Sequence, residues 1–497
     1  MTQKKPGARE KLDSLALQRS IFYPAAEAYS DSPSGFYDYG PFGEAIRRKL
    51  VGFWRRELVQ RENAIELRGS QVLPKAVFQS SGHLDSFADP VTYCLKCNTP
   101  FRADKLLEER TGKAFAEGAP TEHLDAEIRK LGIACGKCKG ELAPVKKFNM
   151  MMKVDVGSTG SQPCFLRPEA CQSIFLDFAR LYKTMRVRLP FGVAQVGGAF
   201  RNEIAPRNQL LRMRELSQMD VEVFFDPRDA DNFPAFTEVE NESLPLMLPG
   251  EREAKSFTVR DAFSKKLFSG KLAAYYLARV FQFYKKLGIP GEKMRFRGLT
   301  KEERAFYSAE TWDLEVQDLE GNWVELMACN NRTDYDLSTH GKGSKQDFSV
   351  RREPSGEKFT PHVFELSAGV DRSFYLALQH AFREDVKAGE AREWLSLPLA
   401  LAPVQVSVFP LMKKDGLAEK AQAVRKALFD EGFDALYDES GSIGKRYARV
   451  DEIGCPYAVT IDYDTLKDDS VTIRERDSTK QERVSVKALA SFLRERL

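Results

Sequence analysis

Residues 200–220 read FRNEIAPRNQLLRMRELSQMD. Arg201, Arg207, Arg212 and Arg214 crowd this stretch with Glu203, Glu215 and Asp220, in a chain whose formal net charge is only +3. The flanking runs VGGAFRNE and LSQMDVEVF favour extended structure. Side chains alternate between the two faces of a strand, so Arg201 and Glu203 are expected on one face. In the second run Leu216, Gln218, Asp220 and Glu222 share a face, and Met219, Val221, Val223 and Phe225 form the other, which the pattern assigns to the core. The link of about a dozen residues is long for a hairpin and suits a loop that grips a ligand. Gly197 and Gly198 would leave room for that ligand. A surface mixing arginine and glutamate matches a molecule with both phosphate and amino groups. A charged hairpin with one solvated face is the alternative that the same pattern allows.

The rest of the chain sets the frame. Its 497 residues suffice for roughly two to four domains. A hydrophobic content of 42% and a charged content of 30% are those of an ordinary soluble globular protein. With charge so balanced, any site for a polyanion must be a local patch. The first residues, MTQKKPGARE, lack the apolar core of a signal peptide, and no run approaches the ~20 apolar residues of a membrane span. A cytoplasmic location is expected.

The segment EAIRRKLVGFWRREL places Ile46, Leu50, Phe53, Trp54 and Leu58 at helical spacing. Residues from about 90 to 145 hold CLKC (94–97) and CGKC (135–138) around a charged, helix-like stretch. Cys94, Cys97, Cys135 and Cys138 could supply four thiolates to one tetrahedral, structural Zn²⁺; disulfides are not expected in a reducing compartment. Residues from about 226 to 300 read as an insertion. TWDLEVQDLEGNWVELMA favours strands, and SAGVDRSFYLALQHAF a turn entering a helix. Composition shifts near residue 400, and an α/β pattern follows, long enough for its own core.

Residues 200–220 resemble motif 2 of the class II aminoacyl-tRNA synthetases in its glycyl form. FYDYGPFG (36–43), SSGHLDSFADP (80–90), FRADKL (101–106), LRPEACQSIF (166–175), WVELMACNNRTDYDL (323–337) and HVFELSAGVDR (362–372) are similar to blocks of the dimeric glycyl-tRNA synthetases, in that family's order. The resemblance implies an α+β chain. Residues 1–400 would form a catalytic domain on an antiparallel sheet flanked by helices, with a zinc-ribbon-like insertion. Residues 401–497 would form an α/β anticodon-binding domain. The family activates glycine with ATP to glycyl-adenylate and passes glycine to the 3′ end of tRNA(Gly), a reaction that needs positioning and charge neutralisation rather than a side-chain nucleophile.

Carried over residue by residue, the resemblance makes Arg201 and Arg372 catalytic. Arg201 would hold the α-phosphate and Arg372, in the first turn of a helix, the γ-phosphate. Glu203 would accept from the adenine amino group, and Asn202, Leu211, Arg212, Met213, Arg214, Glu215 and Leu216 would complete the ATP site. Glu325 would face Mg²⁺, beside Leu326, with Gly369, Val370 and Asp371 completing the nucleotide site. Glu169, Glu365 and Ser367 would take the amino end of glycine and Arg102 its carboxylate side. Leu216, Ser217, Gln218, Met219, Asp220, Leu366, Ala368 and Gly369 would line the same pocket. The family has Phe where this chain has Leu216, Glu where it has Asp220, and more often Pro where it has Leu366. IELRGSQVLPKA, ending past Pro74, resembles motif 1 and implies a homodimer. In the last hundred residues Lys445, Arg446 and Arg449 are candidates for RNA phosphates. An accessory nucleic-acid-binding paralogue and an amino acid:carrier ligase are the alternatives. The retained Arg201 and Arg372 speak against the first, and the anticodon-like domain against the second.

Overall fold

A computed structural model of the chain describes residues 6–497 apart from 114, 116–118, 161, 207 and 388, so Arg207 lies outside the described residues. The centre is a nine-stranded sheet. Its strands are β1 (Ile65–Leu67), β2 (Phe191–Phe200), β3 (Glu215–Phe225), β4 (Ser243–Met247), β5 (Lys255–Thr258), β6 (Met294–Gly298), β7 (Glu310–Gln317), β8 (Trp323–Thr333) and β9 (His362–Gly369). They lie in the order β5-β4-β6-β7-β8-β9-β3-β2-β1. The interior pairs are antiparallel, but β1 with β2 and β4 with β6 are parallel. The sheet is therefore mixed where the sequence suggested an antiparallel one. Parallel neighbours need a long crossover, and the chain supplies one in each case. Residues 226–300, read above as an insertion, contribute β4, β5 and β6 to this sheet.

Four helices frame the sheet: α1 (Pro41–Trp54), α2 (Gln172–Met185), α3 (Lys271–Lys286) and α4 (Val370–Ala381). The apolar face of β3 is where the alternation put it. Met219, Val221, Val223 and Phe225 join one core with Ile46, Leu50 and Trp54 of α1, Tyr276, Leu277 and Phe281 of α3, and Phe374 and Leu378 of α4. The opposite face is not solvated. Phe224 meets Phe178 of α2 at a ring separation of 4.5 Å, and each such buried ring is worth ~2 kcal/mol in apolar area removed from water. Toward the start of β3 the same face carries Gln218, Asp220 and Glu222, all buried. β9 runs straight into α4 at Val370, so Ser367 to Gly369 are strand residues rather than a turn.

Two smaller units have their own cores. Residues 88–149 form a three-stranded sheet, Ala88–Tyr93 between Pro100–Arg102 and Lys146–Asn149, with helices Ala103–Thr111 and Thr121–Lys130. Ala103, Leu107, Leu124, Ile128 and Val145 pack inside it. The C-terminal unit holds β10 (Val406–Pro410), β11 (Ala435–Tyr437), β12 (Tyr457–Ile461), β13 (Ser470–Glu475) and β14 (Gln481–Ser485), in the order β11-β10-β12-β13-β14. Its helix α5 (Leu417–Asp430) buries Leu417, Ala421, Val424 and Leu428 against that sheet, as the helical spacing predicts. Helix α6 (Ile443–Glu452) follows β11. Among the described residues no helix is long and apolar enough to cross a membrane.

Candidate active site

Strand register assembles the site. Gln218 faces Gly369, Asp220 faces Ser367 and Glu222 faces Glu365 across β3 and β9. Across β9 and β8, Ser367 faces Ala328 and Glu365 faces Asn330. The period of two then puts these residues on one face, where a cavity of about 220 Å³ opens. Its walls include Glu169, Arg201, Glu203, Leu211, Arg212, Met213, Leu216, Gln218, Glu325, Leu326, Glu365, Ser367, Gly369, Asp371 and Arg372.

One end of the cavity is cationic. β2 stops at Phe200, so Arg201 and Glu203 lie in the following loop and do not share a strand face as the alternation suggested. The Arg201 N–H bonds the Arg214 carbonyl at 2.8 Å. Its side chain donates from Nε to the Pro168 carbonyl at 3.1 Å and lies over the Phe87 ring. Arg212 Nε donates to Glu203 Oε2 at 2.7 Å. Arg372, in the first turn of α4, donates to the carbonyls of Leu211 and Glu325, both at 3.0 Å. Its Nη1 lies 3.6 Å from the exposed Glu325 carboxylate.

The other end is acidic. Glu169 sits 3.2 Å from His83 Nε2. Burial opposes its charge, yet His83, Arg332 and Arg201 hold it well below the usual carboxylate range. Glu365 accepts from Asn330 Nδ2 at 2.6 Å and from Arg332 Nη1 at 2.9 Å, though burial still pushes its pKa up. Arg332 is clamped by both oxygens of Asp336, at 2.7 and 2.8 Å, and its guanidinium lies 3.8 Å from the centre of the Tyr307 ring. Asp220 is one layer deeper, where its Oδ1 accepts from Ser367 Oγ at 2.7 Å. Burial raises its pKa to about 8.

Several expected residues do not line the cavity. Met219, Leu366 and Ala368 point to the opposite face and belong to the hydrophobic core, as period two requires for odd positions of β3 and even positions of β9, and Val370, which opens α4, is buried in the same core. Ser217 gives its N–H to Asp371 Oδ2 at 2.6 Å, and its hydroxyl accepts from Arg47 at 2.8 Å. Arg214 turns away to the carbonyls of Glu203 and Ser34; Asn202 is held by its backbone to Met150, and Glu215 is exposed. Arg102 is the clearest correction. It pairs with Asp89 at 3.0 Å and Asp104 at 2.6 Å, on the wall of a neighbouring pocket. The room at Gly197 is not for a ligand either: a Cβ there would lie 2.2 Å from Arg167 Nη2, so glycine seats that guanidinium.

Leu210, Tyr307, Ala328 and Asn330 also line the cavity, and sequence reasoning missed them. Tyr307 follows a loop with no periodic signal. Ala328, Asn330 and Arg332 continue the alternation from Leu326, so the strand pattern held a usable signal.

A family model described as an anticodon binding domain matches residues 405–496. The glycine–tRNA ligase of Thermococcus gammatolerans is 38% identical over 99% of this chain and 99% of its own length. That of Aeropyrum pernix is 35% identical, covering 98% of this chain and 96% of itself. The chain belongs to the glycine–tRNA ligase family. A crystal structure described as the RNA binding domain of threonyl-tRNA synthetase from Cryptosporidium parvum Iowa II shares the fold, with a TM-score of 0.61 and 17% identity over 97% of each chain.

Cys94, Cys97, Cys135 and Cys138 place their sulfurs within 4.8 Å of one another. Each pair sits in a tight turn: the Asn98 N–H returns to the Cys94 carbonyl and the Lys139 N–H to the Cys135 carbonyl, both at 2.9 Å. A Cβ at Gly140 would come within 2.9 Å of Cys94 Sγ, so the second turn closes on the thiols only with glycine there. In the C-terminal unit Arg446 is buried, donating to the carbonyls of Pro410 and Leu411, and Arg449 is held by Asp438. Arg446 is therefore a brace rather than a phosphate contact, whereas Lys445 is exposed.

Proposed function

We propose that this cavity is where the chain, as a glycine–tRNA ligase, activates glycine with ATP and then transfers it to the 3′ end of tRNA(Gly). The observation that carries the reading is the polarity of the cavity. Arg201, Arg212 and Arg372 line it together with Glu169, Glu365 and Ser367, which is backed by Asp220. A zwitterion beside a polyphosphate needs that arrangement: an acceptor set for the ammonium and cations where charge develops.

In the first step a glycine carboxylate oxygen attacks the α-phosphorus, and the bond from α-phosphorus to the bridging oxygen breaks. Arg201 neutralises the extra charge on the α-phosphoryl oxygens, and Arg372 holds the departing pyrophosphate. No proton moves. Glu203 Oε2 is engaged by Arg212, which leaves Oε1 to accept from the adenine amino group. Leu211, Met213 and Leu216 form the apolar cover of the ring; Leu216 gives contact area but not the aromatic stacking that Phe supplies elsewhere in the family. Glu325 suits Mg²⁺, being an exposed carboxylate at the phosphate end; bound there, the ion would neutralise charge on the outer phosphates. The four clustered thiols suit a structural Zn²⁺ with no open position.

Selection of glycine is exclusion. The site must fix both charged ends and leave no volume beyond Cα. Glu365, Ser367 and Glu169 take the ammonium, while Tyr307 and Arg332 close the space behind. The C-terminal unit binds the anticodon arm of tRNA, the chain works as a homodimer through the 65–74 region, and it acts in the cytoplasm. Replacing Arg201 by alanine is expected to abolish glycine-dependent ATP–pyrophosphate exchange while the fold persists. Undiminished exchange would overturn the reading of the cavity.

A further inference from the structure

Beneath the acidic end, Asp220 and Glu222 on β3 and Glu365 on β9 occupy adjacent rows of the sheet, with relative exposures of 0%, 0% and 4%. The partners are unequally shared. Glu365 has Asn330 and Arg332. Among the described residues Asp220 has the Ser367 hydroxyl on Oδ1 and nothing on Oδ2, and Glu222 has no partner on either oxygen.

The surroundings of Asp220 decide its charge. Gln218 and Glu222 flank it on its own strand. Across β2 its register partner is Gln195, whose amide is committed to the Ala170 carbonyl and the Gly69 N–H. β9 presents Ser367 and Glu365. The segment after the strand Gln162–Leu166 presents Arg167 and Glu169. Arg167 is a cation nearby, but its hydrogen bonds go to the carbonyls of Gly198, Gly69 and Ser70. An ionised carboxylate here would be desolvated, half unpartnered and surrounded by acids, which is costly. Burial accordingly favours the protonated form of both Asp220 and Glu222, more strongly at Glu222.

We propose that binding of the amino acid exchanges a proton at Asp220 for the ligand's ammonium: the carboxyl is protonated in the free protein and ionises as –NH₃⁺ docks against Ser367 and Glu365. The O–H bond of Asp220 breaks and its proton passes to solvent. The N–H bonds of the ammonium stay intact, so its charge replaces that of the departed proton beside Asp220, while the ligand's carboxylate is met by the arginines of the cavity. Ser367 is the link, bonded to Asp220 and lining the cavity. Glu222, which does not line the cavity, stays neutral throughout. The site thus avoids holding an uncompensated buried anion without ligand, and offers a full counter-ion only to a cation that fits. The inference rests on the amino-acid assignment of the cavity.

Calorimetric titration of the full chain with glycine, at pH 7 in buffers of different ionisation enthalpy, counts protons. One proton released per glycine is expected for the wild type and for Glu222→Gln, and none for Asp220→Asn. The wild-type association constant should rise about tenfold per pH unit between pH 6 and 7.5, a slope that requires no variant. Binding without proton release overturns this inference alone, as does undiminished release in Asp220→Asn or its loss in Glu222→Gln. Absence of any glycine binding to the wild type overturns the cavity assignment and this inference with it.

Discussion

Arg332 joins the acidic end of the cavity to the body of the sheet, and replacing it by methionine isolates its contribution. The residue is 1% exposed. It donates three charged hydrogen bonds, two to Asp336 and one to Glu365, and covers the Tyr307 ring. Methionine keeps the length and apolar stem but leaves two buried carboxylates without their cation. Removing one partner of a buried pair costs ~3–5 kcal/mol, and the desolvated cation–π contact adds about 1–2 kcal/mol. The orphaned carboxyls escape part of this cost by taking up protons, so ~4 kcal/mol is expected at pH 7. The folded variant then holds a proton that its unfolded chain has released. Its deficit must therefore shrink on acidification, by about 1.4 kcal/mol per pH unit for one carboxyl. Urea unfolding followed by tryptophan emission measures this, because Trp54, Trp312 and Trp323 report on the catalytic sheet and its helices, while Trp394, bonded to Asp477, also senses the C-terminal unit. A loss below ~1 kcal/mol, or one equal at pH 5.5 and pH 7, would refute the ion-cluster argument.

Asp220 gives a second pH dependence. Its folded pKa of about 8 lies above the ordinary carboxylate value, so between about pH 4 and 8 the folded protein keeps a proton that the unfolded chain loses. Stability should fall as pH rises through that window, by about 1.4 kcal/mol per unit. Asp220→Asn, which keeps the Ser367 acceptor, should lack this slope; parallel urea profiles for the two proteins would disprove it. Metal analysis of purified protein should find one zinc per chain, and Cys97→Ser should lose it and expose residues 88–149 to protease. Unchanged proteolysis after zinc loss would show that the metal does not hold this unit together. In the C-terminal unit, Arg446→Ala should lower its melting temperature, whereas Lys445→Ala should leave melting unchanged and weaken tRNA binding with a reduced salt slope. The reverse pattern would restore Arg446 as an RNA contact.

Much of the site was legible because a strand encodes its faces locally. Alternation in residues 216–225 separated Met219, Val221, Val223 and Phe225 from Gln218, Asp220 and Glu222, and each set lies on its own face. The helical spacing of Ile46, Leu50, Phe53, Trp54 and Leu58 likewise predicted a buried stripe, and all five are buried. Misplacements occurred where local pattern ends. Arg201 and Glu203 fit the alternation of a strand, but the ladder closes at Phe200 and the next turn is set by long-range bonds to Arg214 and Met150. The block around Arg102 points to the pocket, yet its guanidinium pairs with Asp89 and Asp104.

The sequence alone determined the family, from ordered blocks, and the identity of the charged groups that the chemistry needs. It also determined which residues of each strand face the core, because that depends only on a period of two. Tertiary structure decided which charges are partnered. Asp220, Glu222 and Glu365 look alike in a sequence. They differ because β3 and β9 pair in one register, which gives Asn330 and Arg332 to Glu365, Ser367 to Asp220 and nothing to Glu222. In a buried site the charge state follows from those partners, since a carboxylate removed from water is ionised only where something replaces the water.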